Sequence, residues 1–157
     1  MKGGDPALRI APHFSLTELV KTHAGLDNVP SSRDIHNLKR LAEITLEPIR
    51  DLLGCRLIIH SAFRSHEVNR AVGGAVASTH LSGRAADFHP ESNEPIRLAF
   101  DRIIKSSIPF DKMLLEFKGS RYWIHVEIPQ EKYKFRRQAF ICQVSGHGMD
   151  YIEVNNG

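Results

Sequence analysis

Asp111-Lys112-Met113-Leu114-Leu115-Glu116-Phe117-Lys118-Gly119-Ser120-Arg121-Tyr122-Trp123-Ile124-His125-Val126-Glu127-Ile128 reads as two strands, Asp111 to Phe117 and Tyr122 to Ile128, folded back at a tight turn. A two-residue Gly119-Ser120 turn pairs Lys118 with Arg121, and a four-residue loop pairs Phe117 with Tyr122. Both registers set Glu116 opposite Trp123. Because side chains alternate along a strand, Glu116, Trp123 and His125 then share one face, with Glu116 diagonal to His125 at roughly 7–8 Å between backbones. Glu127 shares that face and is the rival carboxylate. A three- or five-residue loop would weaken the case for Glu116.

Before this hairpin the periodicity is mostly helical. Ser15 followed by Glu18 is a capping box, and Leu16, Leu19 and Val20 continue at helical spacing toward Gly25. A longer helix opens after Val29-Pro30-Ser31-Ser32, places Ile35, Leu38, Leu41, Ala42, Ile49 and Leu52 on one face, and stops at Gly54. Pro48 lies inside it and predicts a kink, since it removes a donor and crowds the preceding turn. Arg56 to Phe63 is β-rich, Ser65 to Val72 is a short helix ended by Gly73-Gly74, and Pro95 to Ser106 is again helical. The tail from Gln138 to Val154 predicts a second hairpin about Gly146-His147-Gly148. The expected architecture is α+β, with N-terminal helices packed on a small antiparallel sheet that carries the functional site.

The whole chain bounds the functional classes. It has 157 residues, 41% hydrophobic and 25% charged, enough for one core and one expected domain over 1–157. No run of about 18 apolar residues occurs, and the start Met1 to Pro6 lacks the apolar stretch of a secretory signal. Membrane insertion is not expected; the chain would be made in the cytoplasm and reach its site of action by release or delivery. A net charge of +3 fits a slightly basic soluble surface, and a polyanionic neighbour is the weaker reading. The Lys132 to Arg137 stretch is more simply a solvated charge run than a polymer contact, so no specific nucleic acid is expected. Cys55 and Cys142 lie outside any CxxC spacing; one disulfide is compatible with them, and two thiols are the commoner state.

Nine histidines exceed what packing needs, and two stand in suggestive company. Ser78-Thr79-His80-Leu81-Ser82-Gly83-Arg84-Ala85-Ala86-Asp87-Phe88 sets an imidazole and a carboxylate around a glycine, and Trp123-Ile124-His125 adds an imidazole within an apolar strand. A single strand histidine is more often a packed or surface residue. Two imidazoles and one carboxylate together are the donor set of a catalytic zinc, with a fourth position open. His89, two residues beyond Asp87, is a residue that supports a ligand from behind, an alternative ligand or a plain strand-end residue. His60 has no assigned role, and His13, His23, His36, His66 and His147 follow no pattern.

At these residues the sequence resembles the zinc D-alanyl-D-alanine carboxypeptidases and L-alanyl-D-glutamate endopeptidases, which are related in fold to the hedgehog signalling domain. Ser78, His80, Gly83, Ala85 and Asp87 match the family's S-x-H-x-x-G-x-A-x-D motif, and Trp123 and His125 match its W-x-H motif. Ser61 to Ser65 resembles its strand-end S-G/A-x-R-S element, Asn69 and Gly73-Gly74 its V-N-x-x-V-G-G turn, and Phe14 to Leu19 its opening helix. The resemblance covers about 14–128 and leaves 129–157 as a C-terminal extension.

The resemblance implies one zinc per chain, held by His80, Asp87 and His125, and hydrolysis of a peptidoglycan stem peptide by a monomer, a pattern that fits a phage-type lytic enzyme. It implies that Glu116 is the general base, although some relatives use E-x-x-H or H-x-H spacings that Tyr122 and Trp123 rule out here. It also implies that Arg64 is the electrophilic helper and substrate anchor, and that Ser78 hydrogen-bonds the substrate. A non-catalytic zinc-binding module of the same fold is the alternative function.

Overall fold

A computed structural model describes residues 8–154; Met1 to Pro6 and the last three residues of the extension lie outside that range. A two-stranded ribbon opens the chain, β1 (Arg9–Ala11) against β2 (Phe14–Ser15). A single turn follows, α1 (Leu16–Leu19), where the Ser15 hydroxyl accepts from the Glu18 N–H at 3.2 Å. The helix expected to reach toward Gly25 is a single turn; a turn at Val20 and bends over 23–26, with Gly25 at φ +68°, lead on to α2 (Ser32–Leu41). α2 begins with a complete capping box between Ser31 and Asp34.

Pro48 does not break the long helix. A π-helical turn over Ala42–Leu46 precedes α3 (Glu47–Leu53), so the proline falls in the first turn of α3, and the wider π turn before it lets the helix pass the missing N–H without breaking. Thr45 in that turn is buried, and its hydroxyl donates to the Pro109 carbonyl at 2.8 Å. The remaining elements are β3 (Leu57–Ser61), α4 (His66–Ala71), a 3₁₀ turn (Thr79–Ser82), β4 (Ala85–Pro90), α5 (Ile96–Lys105), β5 (Lys112–Lys118), β6 (Arg121–Glu127), β7 (Gln138–Ser145) and β8 (Gly148–Val154).

The main sheet differs from the small antiparallel one expected. It has six strands in the order β3-β4-β6-β5-β7-β8 and is mixed, because β7 runs parallel to β5. The chain leaves β6, rounds Pro129 to Arg137 and returns on the far side of β5. Asp111 holds that loop: its carboxylate accepts from Arg136 Nε at 2.9 Å and Nη2 at 2.6 Å. Arg137 donates to the Ile104, Ser106 and Ile108 carbonyls, closing the C-terminal end of α5. The separate β1–β2 ribbon carries none of the metal-binding residues. β4 was not expected as a strand, because two alanines, an aspartate and a terminal proline give it little β signal. α5 lies between β4 and β5, so helices and strands are not segregated along the chain.

Alternation divides the six-stranded sheet into two faces. Ala86, Phe88, Met113, Leu115, Ile124, Val126 and Ala139 join the core with Leu38, Leu41, Leu46, Ile49, Phe100 and Ile103 from the helices. The opposite face carries Asp87, Glu116, Trp123, His125 and Glu127. One face therefore builds the core and the other the site. Cys55 and Cys142 are free thiols, Cys142 buried enough to push its thiol up to about 11.

Candidate metal and catalytic site

Three side chains from three local structures meet on the open face. His80 comes from the 3₁₀ turn, Asp87 from β4 and His125 from β6, with Asp87 and His125 direct partners across the strands. One donor atom from each lies within 4.8 Å of the others, a spacing consistent with a single zinc ion. His80 Nδ1 donates to the Ala62 carbonyl at 2.6 Å, so Nε2 turns inward, 3.3 Å from Asp87. His125 Nδ1 lies 2.6 Å from Asp87 Oδ1, and its Nε2 lies 2.9 Å from Glu127 Oε1. A ligating imidazole held through its other nitrogen by a carbonyl or carboxylate is the usual outer support of a zinc site.

The cluster's electrostatics fit a cation. Burial opposes charge on Asp87, yet His80 and His125 beside it hold its carboxyl well below the ordinary range. Burial likewise opposes charge on His125; Asp87 and Glu127 override it and lift the imidazole to about 10. Glu127, raised by burial but bonded to His125, ends at about 2. The buried His125 imidazole is thus held by two carboxylates in a place where a divalent ion would supply the same positive charge.

Glu116 occupies the position the hairpin register predicts. Gly119-Ser120 is the two-residue turn, Glu116 pairs with Trp123, and Leu114 pairs with His125. Its carboxylate is buried, and the Trp123 indole N–H donates to Oε2 at 2.6 Å, while Oε1 has no hydrogen bond among the described residues. Burial pushes its carboxyl above the ordinary value, against the pull of His125. Arg64 stands on the other flank, with Nε donating to Ser61 Oγ at 2.9 Å and Nη2 to Asp87 Oδ2 at 3.1 Å. Ser78 caps the 3₁₀ turn, its hydroxyl accepting from the His80 N–H at 3.3 Å.

These residues line a cleft of about 430 Å³. One wall is the loop from Gly73 to Ser78, which Asn69 holds by donating from its side-chain amide to the Ala75 carbonyl at 2.9 Å. A side chain at Gly74 would collide with that amide, which gives the N-x-x-V-G-G stretch a packing reason. His60 and His89 pair with each other, ring nitrogens 2.6 Å apart, and stand outside the metal cluster.

A family model described as Peptidase M15 matches residues 12–127, including all three clustered side chains. The chain belongs to the peptidase M15 family. It is a zinc-dependent metallopeptidase domain whose His-Asp-His cluster suits one Zn²⁺ ion, and its substrate is peptidoglycan-related. No curated protein matches this M15 peptidase. No helix among the described residues is long and apolar enough to cross a membrane. The outer support from Glu127 and the Ala62 carbonyl escaped the sequence reading. The Glu127 spacing, two residues from His125 on one strand face, was the available signal; a backbone carbonyl leaves none.

Proposed function

We propose that this M15 peptidase hydrolyses peptide bonds in peptidoglycan stem peptides, with His80, Asp87 and His125 holding the zinc and Glu116 moving the proton. The observation that carries the reading is the Glu116 carboxylate, fixed by Trp123 in the same cleft as the cluster, with one oxygen that has no hydrogen bond among the described residues. Zinc in this cage would supply Lewis acidity, polarising the scissile carbonyl and lowering the pKa of a water toward about 7.

Glu116 then accepts the attacking water's proton at Oε1 and returns it to the leaving amine, and burial suits it to holding that proton between the two steps. Glu127 is already bonded to His125, which favours Glu116 as the base and gives Glu127 the task of aiming the imidazole. Arg64, oriented by Ser61 and Asp87, keeps Nη1 for a substrate carboxylate or the developing oxyanion. Ser78, on the cleft wall, offers its hydroxyl hydrogen to the substrate.

Mass spectrometry of purified muropeptides after incubation with the zinc-loaded protein tests the proposal. Free D-alanine would mark carboxypeptidase action, and separation at L-Ala-D-Glu would mark endopeptidase action. Unchanged muropeptides with a fully zinc-loaded protein would refute it.

A further inference from the structure

The second wall of the cleft comes from outside the family match. The match ends at residue 127, whereas Val144, Met149 and Tyr151 on β7 and β8 line the same cleft as the Gly73 to Ser78 loop. The registers explain why. Glu116 pairs with Cys142 and Cys142 with Tyr151, so one row of same-face side chains runs from Trp123 through Glu116 and Cys142 to Tyr151. Val144 pairs with Met149 in the adjoining row.

Tyr151 and Met149 are exposed, 53% and 39%, yet they do not dangle. The Tyr151 ring packs edge-on against Phe140, and its hydroxyl lies 3.3 Å from the Met149 sulfur. A held but uncovered aromatic and thioether, rising beside a reactive centre, form a contact surface for a ligand. The other wall of glycine, alanine and serine presents backbone and little side chain.

We infer that the β7–β8 hairpin is a substrate-recognition wall that makes this peptidase selective for oligopeptides over dipeptides. The inference rests on the peptidase reading above. From β6, which carries His125, to β8 there are three strand steps, roughly 14 Å at about 4.8 Å each, or about four residues of an extended peptide at about 3.4 Å per residue. The length of the tyrosine side chain shortens that to about three. A dipeptide engaged at the cluster ends short of Tyr151, whereas a stem pentapeptide lying across the sheet reaches it. Arg64, on the opposite flank of the cluster, holds the other end of such a chain.

The test compares kcat/KM for a stem pentapeptide with that for the dipeptides L-Ala-D-Glu and D-Ala-D-Ala in the parent, Tyr151→Ala and Met149→Ala, all zinc-loaded, with peptide binding measured alongside. The parent is expected to favour the pentapeptide. Tyr151→Ala should lower that preference about tenfold, through KM rather than kcat, as truncation of an aromatic that the ligand covers on binding does. Met149→Ala should act in the same direction without disturbing the Tyr151 packing on Phe140. Tyr133→Ala, which removes an exposed tyrosine remote from the cleft, should leave the preference unchanged. A parent that cuts the peptides while both hairpin variants keep its preference overturns the inference alone. A zinc-loaded parent that neither binds nor cuts any of them overturns the peptidase reading and the inference with it.

Discussion

Gly83 separates two costs that usually arrive together. It ends the 3₁₀ turn that carries His80, with φ at +70° and its N–H donating to the His80 carbonyl at 3.2 Å. A Cβ at this position would lie 2.7 Å from the Asp34 carbonyl oxygen and 3.0 Å from Leu38 Cγ. The left-handed conformation costs an L-residue about 1–2 kcal/mol. The close contact adds about 1–3 kcal/mol, because the Asp34 oxygen belongs to the backbone of α2 and cannot rotate away.

Gly83→Ala should therefore lose about 2–5 kcal/mol of unfolding free energy. Gly119→Ala, at φ +61° with nothing within 4 Å of its Cβ, should lose only the conformational share. Urea unfolding of both variants in metal-free form is the appropriate assay, since bound zinc would add its own linkage to the difference. Zinc affinity measured by chelator competition should fall for Gly83→Ala alone, because relief of the contact moves either α2 or the turn bearing His80. Equal losses for the two variants would refute the packing argument and leave only backbone conformation.

Glu116→Gln keeps the indole hydrogen bond and removes the proton acceptor, so zinc content should hold while hydrolysis drops roughly 10²–10⁴-fold; loss of zinc would make Glu116 a ligand or its support. Glu127→Gln should weaken zinc binding by about 10–100-fold, read by chelator competition, because the His125 Nε2 loses its carboxylate partner. Arg64→Lys retains charge but loses the planar fork shared by Ser61 and Asp87, so turnover should fall further than the thermal midpoint. Arg136 holds the Asp111 carboxyl below its ordinary value, so the pair's stabilisation is present above an unfolded pKa of about 3.9 and is lost as pH falls through the folded value. Stability of the parent should accordingly drop on acidification more than that of Asp111→Asn, as followed by urea unfolding across that range.

The sequence reading was strongest where a local rule fixed a geometry. Gly119-Ser120 permits few turns, and alternation then forces Glu116, Trp123 and His125 onto one face, as the registers have it. Helix boundaries followed Ser31, Gly54 and Ser65 because caps are local chemistry. β4 was missed although it carries Asp87, since Ala85-Ala86-Asp87 is held as a strand by neighbours on both sides rather than by its own propensity. The parallel placement of β7 depends on which side of β5 the returning chain takes. That choice is made by the Asp111–Arg136 contact and the fit of Ala139 and Ile141 to the core, neither of which leaves a periodic trace. The expected small antiparallel sheet was wrong for the same reason: hairpins announce themselves, whereas pairings between distant segments do not.

The position of β5 between β6 and β7 matters for anyone who trims this protein. Strand β5 carries Glu116, and its partner on one side is β7, which begins at Gln138, beyond the family match that ends at residue 127. A chain truncated at the family boundary would leave one side of β5 as a raw sheet edge, with a row of unpaired N–H and C=O groups and the apolar pair Leu114 and Leu115 uncovered. Such an edge recruits other chains. The shortened protein should precipitate or exchange strands, and an absence of activity in it would report aggregation rather than anything about the zinc cage.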